Sequence, residues 1–148
     1  MTRWLSDDEQ RAWRAFVSLQ AKLNAQLNRE LQAESELSLA DFEVLVRLTD
    51  RDDARVRAFE LAADMQWEKS RLSHHLARMQ RRGLIDRAGC PEDARGSYIA
   101  LTPEGRRAIE QAAPGHVESV RRLVFDQLTP EQVQTLRTIS EKVLRQLD

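Results

Sequence analysis

The sequence predicts a mainly α-helical fold that carries a small β-hairpin wing, and three observations support this fold class. Two helical segments separated by a short turn occupy residues 57–82. Two short segments rich in β-prone residues, at 84–88 and 97–101, flank a charged turn. Helical segments with long apolar stripes lie near both ends of the 148 residues. Together these features are typical of a winged helix-turn-helix with about six helices.

The first two helices can be placed from their caps. Ser6 and Glu9 form a capping box, and Ser38 and Asp41 form a similar pair. After the first box, apolar residues recur at steps of three and four, at Ala12, Phe16, Leu19, Leu23, Leu27 and Leu31. This long stripe indicates either a face of the core or a surface that packs against a second subunit. The second helix is followed by a polar turn at residues 51–54.

The predicted helix-turn-helix unit has a short helix over residues 57–65 and a longer one over about 67–82, which Gly83 ends. At about 100° per residue, the core side of the longer helix consists of Leu72, Leu76 and Met79. The opposite side carries no acidic residue and consists of Ser70, Arg71, His74, Ala77, Arg78 and Arg81. A donor-rich face with small central side chains suits the major groove of DNA, and an ordinary solvated helix face is the alternative.

Two adjacent histidines on the longer helix raise the question of a metal site. His74 and His75 point about 100° apart on a helix, so their rings cannot readily bind one ion. Cys90 falls on the hairpin and His116 on a later helix. We therefore predict no metal and no cofactor. We expect His74 to contact a base or phosphate and His75 to be a partly buried structural residue.

Two further helices follow the hairpin. Thr102 and Pro103 mark the start of the first one. This helix extends to about residue 127 and should be kinked or broken at Pro114, which a glycine follows. A cap at residues 129–132 starts the last helix. Its apolar residues are spaced for burial, at Val133, Leu136, Ile139, Val143 and Leu147.

Composition and charge narrow the class of function. The net charge is −1, but residues 67–107 hold nine Lys/Arg and five Asp/Glu, a net charge of +4 that leaves −5 for the remainder. A localised basic region in an otherwise acidic chain favours a DNA footprint. Motifs for phosphate-binding loops, nucleophile elbows and zinc proteases are absent, so we predict that the protein is not an enzyme. A single cysteine and the lack of a long apolar run favour a cytoplasmic protein without membrane partners.

An ordered set of motifs around the hairpin points to a family. Arg-Gly-Leu-Ile at 82–85 is followed by Asp-Ala-Arg-Gly at 93–96 and by Leu-Thr-Pro-Glu-Gly at 101–105. This set resembles the wing of the multiple antibiotic resistance regulator (MarR) family, and the resemblance extends over nearly the whole chain. The implied layout is one domain, 1–148, with dimerisation helices at 6–34 and 103–148, a DNA-binding lobe at 38–101, a recognition helix at about 67–82 and a wing at about 84–101.

The resemblance also implies a function. It leads us to expect a transcriptional regulator, acting as a repressor, that binds a pseudo-palindromic double-stranded operator as a homodimer. The residues expected to contact DNA are Lys69, Ser70, Arg71, His74, Arg78, Asp93 and Arg95. Arg95 would enter the minor groove while Asp93 orients it, and a simple surface ion pair is the alternative. Family members often have a second basic residue where this chain has Gly96, and Arg87 is the candidate to compensate for it.

A small aromatic or phenolic effector is expected from the same resemblance. Trp13, Phe16, Met65 and Trp67 are candidates to line its cleft between the dimerisation helices and the DNA-binding lobe, with a place in the core as the alternative for each. Oxidation of Cys90 is a second possible signal, although relatives that sense oxidants typically carry that cysteine in the first helix. A winged-helix module that binds protein instead of DNA is the remaining alternative.

Overall fold

The helices and strands follow the order that the sequence predicts, with one additional strand. The computed structural model describes residues 1–89 and 97–148. Within these residues the elements are α1 (Asp7–Ser35), α2 (Leu39–Thr49), β1 (Arg55–Arg57), α3 (Ala58–Met65), α4 (Lys69–Arg81), β2 (Ile85–Ala88), β3 (Tyr98–Leu101), α5 (Pro103–Leu123) and α6 (Pro130–Leu147). A 3-10 turn, Phe125–Gln127, joins α5 to α6. The strands form an antiparallel sheet in the order β1-β3-β2.

The predicted helix starts at Ser6, Ser38 and Thr129 are confirmed, and each is a capping box. At the first, the backbone N–H of Glu9 donates to Ser6 Oγ at 3.1 Å. In return, the N–H of Ser6 donates to the Glu9 carboxylate at 2.8 Å. Such reciprocal bonds satisfy N–H groups that have no acceptor inside the helix, so the boundaries follow directly from local sequence.

Strand β1 is missing from the sequence prediction, which has a polar turn at 51–54 and then a helix from residue 57. In the structure Val56 lies opposite Ile99 of β3 and is 3% exposed. Helix α3 therefore begins one residue later than predicted, at Ala58. A three-residue strand with a single apolar side chain has no period to detect, and its partner strand comes only after α3 and α4.

The predicted core side of α4 is confirmed. Leu72, Leu76 and Met79 are at most 2% exposed, although the helix begins at Lys69, two residues later than predicted. These three side chains belong to a core with the fully buried Leu37, Val44, Leu45, Leu48, Leu61, Ile85 and Ile99. This core is shared by α2, α3, α4 and the sheet, and Leu31 of α1 and Ile109 and Ala112 of α5 also belong to it. It therefore determines which side of α4 faces outward.

Helix α5 differs from the prediction at its middle. Of the predicted kink or break at Pro114, the break is wrong, because α5 is continuous from Pro103 to Leu123, and the kink stays a prediction. Proline removes one backbone hydrogen bond, but the packing of the helix on either side compensates for that loss. Ile109 and Ala112 are buried before the proline, and Ser119 is buried after it. The Ser119 hydroxyl donates to the Glu30 carboxylate of α1 at 2.8 Å.

Two apolar stripes remain uncovered within the chain. On α1, Leu27 and Leu31 are buried, whereas Trp13, Phe16 and Leu19 are about half exposed. Helix α6 is described in full and contains no buried residue, so the burial that its spacing predicted does not occur within one chain. Its exposed apolar side chains are Leu136, Ile139, Val143, Leu144 and Leu147. No helix in the described ranges combines the length and apolar character that crossing a bilayer requires.

Gly105 lies where α5 passes closest to the sheet. A Cβ at this position would collide with the carbonyl oxygen of Leu84 and would lie 2.9 Å from Leu101 Cδ1. The collision is with backbone, so it cannot be relieved by rotating a side chain. We expect Gly105→Ala to lower the free energy of unfolding by about 1–3 kcal/mol, although alanine is the better helix former. Urea denaturation measures the change.

Gly115→Ala is the matched control on the same helix. The added methyl group there would lie 2.5 Å from the carboxylate end of the Glu34 side chain, which can rotate away. We expect a stability within about 0.5 kcal/mol of native, or a slight gain from helix propensity. Equal losses in the two variants would contradict the close-approach explanation for Gly105.

Candidate nucleic-acid interface

The outward side of α4 carries five of the side chains predicted to contact DNA. Lys69, Ser70, Arg71, His74 and Arg78 are all exposed. Helix α4 contains no acidic residue, and its last turn contributes one further arginine charge, at Arg81. The surface therefore has charge of one sign, which is what a phosphate-rich partner requires.

The two central arginines of this surface are supported from behind by aromatic rings. The guanidinium of Arg71 lies over the Trp67 ring, 3.9 Å from its centroid. Trp67 in turn meets the His75 ring edge-on, with centroids 5.4 Å apart. Arg78 Nη2 lies 3.2 Å from His75 Nδ1. The expectation that His75 is a structural residue agrees with its exposure of only 7%.

A buried carboxylate lies behind His75. Asp41 Oδ1 is 2.9 Å from His75 Nε2, although the ring N–H is not well aligned for a hydrogen bond. Asp41 Oδ2 accepts from Arg82 Nη1 at 2.9 Å and from the Ser38 N–H at 3.0 Å. Arg82 Nη2 also donates to the carbonyl of Glu36, which caps the end of α1. The cluster thus connects α1, α2 and α4.

Two opposing effects act on the pKa of Asp41. Burial by itself would raise the pKa, but the contacts from His75 and Ser38 outweigh it and lower the pKa to about 2. The carboxylate is therefore ionised at any pH at which the protein would normally work. Sequence reasoning identified Asp41 only as a helix cap, because its partners on α4 are distant in the chain.

Arg87 of β2 connects the hairpin to α4. Its Nε donates to Ser97 Oγ at 3.0 Å and its Nη1 donates to Ser73 Oγ at 3.2 Å. Arg87 is half-buried, in contrast to the arginines of the α4 surface. These contacts favour a structural tie over the DNA contact suggested as compensation for Gly96.

The tip of the wing lies outside the described residues. The strands on both sides agree with the predicted hairpin, since β2 pairs with β3 from Ile85 opposite Leu101 to Ala88 opposite Tyr98. Asp93, Arg95, Gly96 and Cys90 fall within residues 90–96, so what we expect of them remains a prediction.

Arg55 and Arg57 on β1 are functional candidates that the sequence analysis missed. Both guanidinium groups lie over the ring of Tyr98, at 4.2 and 4.5 Å from its centroid. The Arg-Val-Arg alternation around a buried Val56 is the one signal that could have identified this edge strand.

The two histidines of α4 are separated as predicted. His74 is exposed, whereas His75 is buried against Asp41. Among residues 1–89 and 97–148, no three His, Cys, Asp or Glu side chains are grouped so as to hold a metal ion.

The four effector-cleft candidates lie in different parts of the fold. Trp13 and Phe16 are exposed on the first half of α1, with ring centroids 6.2 Å apart. Met65 and Trp67, at the end of α3 and just after it, pack partly buried against the core. None of the four lines the cleft of about 330 Å³ between α1, α2 and α5. The residues that line it are Asn24, Leu27, Leu39, Phe42, Glu43, Val46, Arg47 and His116.

Together these features define the class of protein. A two-helix unit followed by an antiparallel hairpin, with a basic outward side on its second helix, is a winged helix-turn-helix of the DNA-binding kind. The model of the MarR family matches residues 37–97, which include the unit and the strand before the wing tip. Together with the relatives below, this match shows that the chain belongs to the MarR family of transcriptional regulators.

Three relatives illustrate the likeness. AbsC, a MarR family transcriptional regulator from Streptomyces coelicolor, is 38% identical with a TM-score of 0.91, covering 99% of this chain and 98% of that one. Sco3205, a MarR family regulator from the same organism solved in complex with DNA, is 38% identical with a TM-score of 0.93, covering 100% and 92%. The transcriptional repressor YetL of Bacillus subtilis is 34% identical over 84 residues, which are 57% of this chain and only half of that protein.

The depressed pKa of Asp41 predicts how stability depends on pH. A carboxyl group whose pKa falls from 3.8 to about 2 on folding stabilises the fold above pH 4. That contribution is lost as the pH falls from about 4 through 2. We expect Asp41→Asn to reduce the free energy of unfolding at pH 7 by roughly 2 kcal/mol and to flatten its pH dependence in this window. Urea denaturation at a series of pH values measures both.

Asp52→Asn is the control, because Asp52 is exposed in the turn after α2. The free energy of unfolding of this variant should remain within about 0.5 kcal/mol of native at pH 7 and should fall with decreasing pH as steeply as that of the native protein. If the free energy of unfolding of Asp41→Asn kept the native pH dependence, the neighbours of Asp41 would not be lowering its pKa.

Proposed function

We propose that the chain is a homodimeric transcriptional repressor that binds a pseudo-palindromic operator, with one α4 in the major groove of each half-site. The observation that carries this proposal is the acid-free outward side of α4, where Lys69, Ser70, Arg71, His74 and Arg78 are all exposed. The DNA complex of the similar regulator Sco3205 supports it. The protein acts in the cytoplasm and catalyses no reaction.

The wing completes the proposed contact. Arg95 enters the minor groove beside each half-site, where narrow A·T-rich grooves concentrate negative potential. Asp93 pairs with Arg95 and limits its rotamers before binding. The tie from Arg87 to Ser73 and Ser97 supports this arrangement, because it fixes the base of the wing to α4.

The homodimer is supported by the apolar surface that one chain leaves exposed. The outward side chains of α6 and of the first half of α1 form stripes typical of buried helix faces. Large exposed apolar patches at chain ends indicate an interface. To bind two half-sites, a twofold dimer through these helices must hold its two α4 helices about one helical turn of DNA apart, roughly 34 Å.

We further propose that a small aromatic or phenolic anion releases the repressor by binding in the cleft between α1, α2 and α5. The ring centroids of Phe42 and His116 are 4.4 Å apart, and both residues line the cleft together with Arg47. Burial lowers the pKa of His116, and its Nδ1 has no hydrogen-bond partner within the described residues. Such a ligand shifts the population toward a form in which the α4 helices do not match the half-sites. Oxidation of Cys90 remains the alternative signal.

Selection from a pool of genomic fragments tests the DNA-binding proposal. We expect one inverted repeat to be enriched at moderate salt. Arg78→Ala should bind it roughly 10- to 100-fold more weakly and relax the base preference at one position of each half-site. Lys69→Ala should weaken all sequences alike and reduce the salt slope by about one. Arg95→Ala should lose the preference for the flanking base pairs.

Arg29→Ala is the control for loss of one positive charge. Arg29 is exposed on α1, where its Nη2 donates to Gln26 at 2.6 Å. Its removal should leave affinity and sequence preference native. Failure of the native protein to enrich any motif, or binding that does not weaken with salt, would favour the protein-interaction module instead.

Val143→Glu tests the homodimer. Val143 is 54% exposed in the single chain, and a carboxylate buried in a dimer interface at this position would cost several kcal/mol. We expect sedimentation velocity to show a dimer for the native protein and monomers for the variant. Gln134→Glu adds the same charge on the other side of α6 and should remain dimeric. A native protein that is monomeric at all concentrations would exclude this interface.

A further inference from the structure

One line along α4, between its buried and exposed sides, is occupied by Arg71, His75, Arg78 and Arg82. Successive members are four, three and four residues apart, so they follow a single face of the helix. His75 is 7% exposed, whereas the three arginines are exposed. A buried polar ring therefore lies directly behind cations of the proposed DNA surface.

The contacts of His75 determine which ring nitrogen carries the proton. A guanidinium group can only donate, so the 3.2 Å contact with Arg78 Nη2 requires an unprotonated Nδ1 as acceptor. The proton of the neutral ring is then on Nε2, which lies 2.9 Å from Asp41 Oδ1. The carboxylate of Asp41 therefore favours the tautomer that can accept from Arg78.

We propose that His75 is a positioning residue for DNA recognition, holding Arg78 in the orientation that a base contact requires, with Asp41 fixing the ring from behind. This inference rests on the proposed DNA-binding function. The same ring also meets the edge of Trp67, whose face supports Arg71. One buried side chain thus supports both central arginines of the surface.

The physical benefit is a smaller loss of side-chain freedom when DNA binds. An arginine on a helix surface samples many rotamers, and ordering it reduces the affinity of a complex. Rotation of His75 away from Arg78 is limited, because the ring is buried between the core residues Leu72 and Met79 along α4 and its Nε2 lies 2.9 Å from Asp41 Oδ1. Loss of this support should weaken binding roughly two- to tenfold.

A double-mutant cycle on the full-length protein tests the inference. His75→Gln keeps an N–H donor near the position of Nε2, facing Asp41, but removes the acceptor that faces Arg78. We expect it to weaken binding to the selected operator roughly two- to tenfold and to relax the same base position as Arg78→Ala. In the Arg78→Ala background it should have little further effect, because both changes remove the same contact.

His75→Asn is the matched variant, because its amide oxygen lies near the position of Nδ1 and can accept from Arg78. We expect it to keep the base preference that His75→Gln loses. Urea denaturation of both variants under the binding conditions establishes that they are folded. Gln80→Ala, an exposed α4 change with no assigned role, should bind like the native protein and combine additively with Arg78→Ala.

Two results would overturn the positioning role. One is an equal loss of operator affinity from His75→Gln in the native and Arg78→Ala backgrounds. The ring would then act through the fold as a whole and not through Arg78. The other is a native base preference in His75→Gln when the native protein selects an operator. If the native protein selects no operator, the proposed function fails and this inference fails with it.

Discussion

The carboxylate of Asp41 joins three segments whose relative placement determines how α4 is presented. It accepts from the Ser38 N–H at the start of α2 and contacts His75 of α4. It also accepts from Arg82, which donates in addition to the carbonyl of Glu36 at the end of α1. Burying a charge costs free energy unless enough donors surround it. The donors from the start of α2 and from α4 meet this condition only when both helices are in place. Arg82 extends the arrangement to α1 through the Glu36 carbonyl, so the carboxylate favours one placement of the three helices.

This arrangement connects the proposed dimer interface to the proposed DNA surface. The core of the chain lies among α2, α3, α4, α5 and the sheet and includes Leu31 near the end of α1. The apolar residues of α6 and of the first half of α1 are exposed. Arg82 is the link between them, since it bonds the end of α1 on one side and Asp41 on the other. A movement of α1 relative to α2 therefore changes the surroundings of the residue that holds His75. Under the proposed function, a ligand in the cleft between α1, α2 and α5 would act at this junction.

Local signals account for what the sequence predicts correctly. Helix caps, the glycine that ends α4 and the apolar spacing that places His75 beside the core side of α4 all depend on neighbours within a few residues. The failures depend on distant partners. Strand β1 needs β3, and the continuity of α5 through Pro114 needs its packing on either side. The apolar spacing of α6 predicts burial, and one chain does not provide it. The capping box already explains the presence of Asp41, so nothing in the local sequence indicates its contacts with α4.

The arginines differ in the partners of their N–H donors, and this difference separates structural arginines from those of the proposed DNA surface. Arg82 donates to Asp41 and Glu36, and Arg87 donates to Ser73 and Ser97, so both arginines use these N–H groups for bonds within the protein. Arg78 gives one donor to His75, and Arg71 stacks its face on Trp67. A guanidinium has five donors, so each of the latter two still has a pair of N–H groups that, under the proposed function, can bind the acceptors of guanine. Counting basic residues in the sequence therefore overstates the proposed DNA surface. Two of the nine between 67 and 107, Arg82 and Arg87, use these N–H donors for bonds within the protein.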